Sequence, residues 1–185
     1  KLIATDMNFN DDYLKIISEE LPKVRFVNIN NLCLDMRIIK TSEEIALTQR
    51  ADHYFDKIHA FGRDYILENG TNTNDFEIGQ ALQAYGINLL MKDIKYDGKP
   101  HSAVGVEVTS EYVRAGVSTA YPHPNQLFYN PVRKGQPVYV NTDIKLGGCG
   151  GEAYRNYQIL PVSKHQEKMW TVVSETVQIM VEETK

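Results

Sequence analysis

The sequence predicts an α+β protein in which two long helices lead into antiparallel strands, preceded by the tail of an α/β unit. Three observations predict this. Apolar residues recur at helical spacing from Ile45 to Ile66 and again from Phe76 to Leu89. Alternation at period two then replaces the helical period, and a last helical pattern closes the chain.

The elements follow in order. Leu2-Ile3-Ala4 reads as a strand, and a helix carries Tyr13, Leu14, Ile16, Ile17 and Leu21 on one face until Pro22 stops it. Val24 to Ile29 alternates as a second strand, and Asn30 to Thr41 reads as a boundary. Thr41 with Glu44 fits a capping box, so a helix of about seven turns runs from there to Asn69-Gly70. Asn74 with Glu77 opens the next helix. Val104, Val106 and Val108 alternate as a strand, whereas Gly116 to Gly135 holds three prolines and reads mostly as loop. Val138 to Ile144 and Ala153 to Leu160 form a hairpin joined by the glycine-rich run 147–151, and Ser163 with Gln166 caps the final helix.

Composition narrows the function classes. The net charge of −4 and the lack of a run of basic residues give no footprint for nucleic acid. No apolar run reaches the roughly 18 residues that span a bilayer, and no signal-peptide pattern opens the chain, so no membrane partner and a cytoplasmic location are expected. Cys33 and Cys149 lack metal-site spacing and read as separate thiols in a reducing compartment. The chain begins in a strand and ends inside a helical pattern without a stop signal, so both ends look cut.

Chemistry concentrates in the hairpin. With the turn placed about the Leu146–Gly147 bond, Asn141 faces Glu152, and alternation brings Asp143 to the same side. Three oxygen-bearing side chains on one strand face can hold a metal or polarise a carbonyl; the same pattern fits the wet side of an edge hairpin. His123, in a proline-stiffened loop, suits a general base or hydrogen-bond donor, or a plain exposed loop histidine. His53, His59 and His165 read as structural.

These pieces resemble the pita-bread superfamily of Xaa-Pro peptidases, methionine aminopeptidases and creatinase. The resemblance rests on Arg37-Ile38-Ile39-Lys40-Thr41-Ser42-Glu43-Glu44-Ile45, like the family's junction between its small N-terminal domain and its catalytic domain. It continues in Gly70-Thr71 with Glu77, in Gly116 to His123, and in Gly135-Gln136-Pro137-Val138 through Arg155. It implies that residues 1–36 are the C-terminal tail of a creatinase-type N-terminal domain and 37–185 the first half of a pita-bread catalytic domain. In the metallopeptidases two aspartates eleven residues apart bind paired divalent metals; here Asn141 and Glu152 hold those positions, with Arg155 at the motif's arginine. Creatinase, which works without metal, also has asparagine at the first.

The resemblance therefore implies a hydrolase of C–N bonds acting on a peptide or small molecule, with catalytic His123 and Glu152, and with His123 and Arg155 binding substrate. An altered metal site of Asn141, Asp143 and Glu152 would take manganese, cobalt, zinc or iron, or the chemistry would be metal-free as in creatinase. A homo-oligomer is expected, because half of such a fold leaves apolar surface bare. The alternatives are a non-catalytic binding module and an inactive truncated fragment.

Overall fold

The computed structural model describes residues 1–5, 11–93, 105–110, 112–121 and 126–184. It divides into two compact units, Lys1–Ala46 and Leu47–Lys185.

In the first unit β1 (Leu2–Thr5) lies parallel to β2 (Arg25–Asn28), with Ile3 opposite Phe26 and Ala4 opposite Val27. Parallel neighbours need a crossover, and α1 (Asp11–Glu20) provides it, with Leu14 and Ile17 half-buried. The stretch expected as a bare boundary instead contains α2 (Asn30–Ile38). Asn28 Oδ1 accepts from the Asn30 amide at 2.8 Å, a start signal that sits one turn before the apolar residues and so escapes a periodicity reading.

The long helix α3 (Ser42–Asn69) begins at the expected capping box: Glu44 N–H donates to Thr41 Oγ1 and Thr41 N–H to Glu44 Oε2. In the second unit α3 buries Tyr54, Phe55, Ile58 and Ile66, and α4 (Asp75–Asp93) buries Ile78, Leu82 and Leu90. The two approach closely, since a Cβ at Gly86 would lie 2.8 Å from Ile58 Cδ1 and 2.9 Å from Val108 Cγ1. Phe61 and Tyr85 stack between them at 4.2 Å.

Both helices cover one face of a four-stranded sheet ordered β3 (Val106–Thr109), β5 (Pro137–Leu146), β4 (Arg114–Ala115), with β6 (Cys149–Gln158) also paired to β5. Burial along β5 alternates strictly: Val138, Val140, Thr142, Ile144 and Leu146 are buried, while the residues between them are half-buried. Val104, expected in β3, lies outside the described residues. The short β4 stands just before the stretch read as loop and the 3-10 turn Gly116–Ala120 stands inside it, both pinned from α4. Fully buried Asp75 accepts from Ala115 N–H and from both the amide and Nδ2 of Asn130. A last helix, α5 (Lys164–Glu183), starts at the expected Ser163–Gln166 capping box.

The hairpin corrects the expected register. Asp143, not Asn141, faces Glu152, and Asn141 faces Tyr154. The cause is the turn. Gly147 and Gly148, at φ 57° and 81°, close a two-residue loop of the kind that matches strand twist, leaving Cys149, Gly150 and Gly151 inside β6 rather than in a long connector.

Candidate functional site

On β5 the odd-numbered residues Tyr139, Asn141, Asp143 and Lys145 turn away from the helices. Direct pairing puts Glu152 and Tyr154 of β6 on this side, with Thr109 and Glu107 of β3 and Arg114 of β4. The corrected register therefore still gathers Asn141, Asp143 and Glu152 on one face, as alternation required.

Asp143 is the most enclosed carboxylate there. Its side chain is 14% exposed, and Lys145 Nζ donates to Oδ2 at 2.8 Å while reaching Glu107 Oε1 at 3.3 Å. Hydrogen bonds to Asp143 and Glu107 hold the Lys145 pKa above its ordinary value. Asp143 Oδ1 and Asn141 Oδ1 are buried and have no hydrogen-bond partner among the described residues. Glu152 is exposed and accepts from the Tyr154 hydroxyl. Tyr154 stacks on Tyr139 at 5.7 Å, and the Arg114 guanidinium lies 5.4 Å from the Tyr139 ring centre. Burial pushes the Tyr139 phenol pKa up.

One of the expected site residues stands apart, and another cannot be placed. Arg155 pairs with Val140 and so belongs to the even, helix-covered side, where Nη1 donates to the Tyr154 carbonyl at 2.7 Å and the guanidinium opposes protonation of His59. His123 lies outside the described residues. Lys145, Tyr139, Tyr154, Glu107 and Arg114 were not foreseen as members of the face. Tyr139 and Lys145 share the parity of Asn141 along β5, so carrying the alternation to both strand ends would have found them.

The residues present do not fit the paired metals that the resemblance implied. The first position is a neutral amide, Asp143 already carries an ammonium on one oxygen, and Glu152 is bonded by a phenol. Among the described residues no group of three His, Cys, Asp or Glu side chains is placed to hold an ion. What the face offers is two neighbouring, unpartnered acceptor oxygens, which suit an N–H donor or water.

No protein-family model and no curated protein matches the chain. Among solved structures it is similar to a prolidase from Thermococcus sibiricus, with a TM-score of 0.67 at 20% identity over 95% of this chain. The chain has part of the pita-bread fold. A prolidase from Pyrococcus furiosus (TM-score 0.67, 17% identity) and an X-Pro aminopeptidase from Thermotoga maritima (TM-score 0.65, 18% identity) share it, each over 95% of this chain. These three matches cover 43%, 47% and 45% of the other chain, so this chain spans less than half the length of the solved pita-bread structures it matches. No helix among the described residues is long and apolar enough to cross a membrane.

Proposed function

We propose that the odd face of β5, with Glu152, is one wall of a site that hydrolyses a C–N bond in a peptide or small amidine-like molecule without a two-metal centre. The observation that carries the reading is the pair of unpartnered acceptors, Asn141 Oδ1 and Asp143 Oδ1, side by side on a half-buried polar face. An unpaired buried acceptor costs stability until a donor arrives, which is a reason for a ligand N–H or a water to bind there. In this reading Asn141 and Asp143 orient the substrate nitrogen or the attacking water. Glu152 takes the proton from that water, and Lys145 holds Asp143 Oδ2 in place through their ion pair. His123 donates to the reacting group by resemblance alone. Arg155, on the other side of β6, supports the strand from behind and does not touch substrate.

The test is turnover of a panel of Xaa-Pro dipeptides and guanidino or amidino compounds by the purified full-length protein, with and without chelator. The expected result is turnover indifferent to chelator and lowered at least about a hundredfold in Glu152→Gln and about tenfold in Asp143→Asn. Turnover that both variants retain, or that chelator abolishes and manganese restores, would sink the proposal. A second reading, a pita-bread binding module without catalysis, draws support from the engagement of both carboxylates by Lys145 and Tyr154. It predicts ligand affinity with no turnover anywhere in the panel.

A further inference from the structure

Beside the two acceptor oxygens, the polar face carries a stack of flat side chains with no part in the proposed hydrolysis. Tyr139 of β5 pairs with Arg114 of β4 on one side, and β6 runs along its other side. Arg114, itself buried, lies over the Tyr139 ring from the first side. Tyr154 stacks on that ring from the second, with the planes 28° apart. Cation, ring and ring thus follow one another across the sheet. The Tyr154 hydroxyl donates to Glu152, which ties down the tip of the outer ring. Two contacts fix the plane of Tyr154, yet 36% of the residue stays open to solvent. A ring already held at two points loses little freedom when a ligand settles on it.

The strand register gives this surface a use. Tyr154 faces Asn141 directly across the hairpin, and such partners keep their Cβ atoms about 5 Å apart. A ligand N–H that donates to Asn141 Oδ1 and Asp143 Oδ1 therefore leaves its neighbouring substituent against the Tyr154 ring. The stack is made of flat groups, and paired aromatic rings gain more than the same apolar area alone provides. An aromatic substituent extends the stack; an aliphatic one only covers it.

We propose that Tyr154, backed by Tyr139 and Arg114, is the specificity-determining wall of this site and selects ligands with an aromatic side chain beside the bound nitrogen. That nitrogen is the one that Asn141 and Asp143 orient in the proposed hydrolysis, on which the assignment rests. The ligand class is a peptide or amide whose aromatic residue adjoins the held N–H.

L-phenylalaninol, L-cyclohexylalaninol and L-prolinol carry the nitrogen but no amide to cleave, so their binding is read apart from turnover. Titration calorimetry of the full-length protein should give phenylalaninol a dissociation constant about three- to tenfold below those of the other two. Tyr154→Leu should erase the difference between phenylalaninol and cyclohexylalaninol. Tyr154→Phe, which keeps the ring and drops the hydroxyl, should retain it. Tyrosines that served only to hold the strands together would not tell a flat ligand from a saturated one of similar size. Equal affinities on the parent protein, or no binding of any of the three, overturn the assignment without recourse to a variant. So does a preference that survives Tyr154→Leu. Aromatic preference without any turnover of the Xaa-Pro, guanidino and amidino panel keeps the wall and removes the hydrolysis; turnover with equal affinities does the reverse.

Discussion

Acidification should weaken the second unit through one buried histidine. His59 is 5% exposed on α3, and neither ring nitrogen has a hydrogen-bond partner among the described residues. Burial first, and then the neighbouring Arg155 charge, lower its pKa from 6.5 to about 4, against smaller opposing pulls from the nearby Ala153 backbone and then Asp56. The folded state therefore keeps the imidazole neutral, whereas the unfolded chain takes up a proton below about pH 6.5. The contribution is fully present above that pH and is lost as pH falls towards 4. At about 1.4 kcal/mol per unit, the full shift would remove roughly 3 kcal/mol below pH 4 and about 2 kcal/mol at pH 5. Solvent screening where Arg155 reaches water reduces the value at pH 5 to about 1–2 kcal/mol. Urea unfolding at pH 7.5 and pH 5, on the parent and on His59→Leu, isolates this term, because the other titrating groups cancel in the difference. The parent should lose about 1–2 kcal/mol more than the variant between the two conditions. Equal losses in the two proteins would refute the reasoning.

Three further outcomes are expected. Gly150→Ala drives a Cβ into the Ile144 carbonyl oxygen at a residue with φ 155°, so it should cost more than about 3 kcal/mol in urea unfolding or prevent folding. Asp75→Ala strands the Ala115 and Asn130 amides in the interior and should lower stability by about 3 kcal/mol, read as a fall in Tm by calorimetry. Lys145→Gln breaks ion pairs with Asp143 and the exposed Glu107 yet should change stability by less than about 1 kcal/mol, while disturbing any turnover that depends on Asp143.

The helices were legible because their caps and apolar stripes are local signals: Thr41 with Glu44 and Ser163 with Gln166 each form the reciprocal bonds that their spacing implied. Asn74 caps the Glu77 amide, but the Glu77 carboxylate accepts from Thr73 Oγ1 instead of closing the box, a choice that depends on the burial of Thr73 and is invisible in spacing. β4 escaped notice because two residues show no period; it exists through pairing with Tyr139 and Val138 and the reach of Asp75 across 40 positions. The polar face was legible as a set, since alternation alone sorts Asn141, Asp143 and Glu152 together. Which of them meet was not, because the register depends on how many glycines the turn consumes. Arg155 looked like a neighbour of Glu152 in sequence, and three positions along a strand carried it to the opposite side.

The Gly147-Gly148 turn thus has a bearing on how such a chain can change over time. Lengthening the loop by a single codon would slide β6 by one step and exchange its two sides. Glu152 would then be thrust beneath the helices near His59, and Ala153 and Arg155 would take its place on the polar wall. Loop length here is therefore not a neutral tolerance but a digital setting. Insertions at this corner would have to arrive in pairs to leave the chemistry of the wall intact.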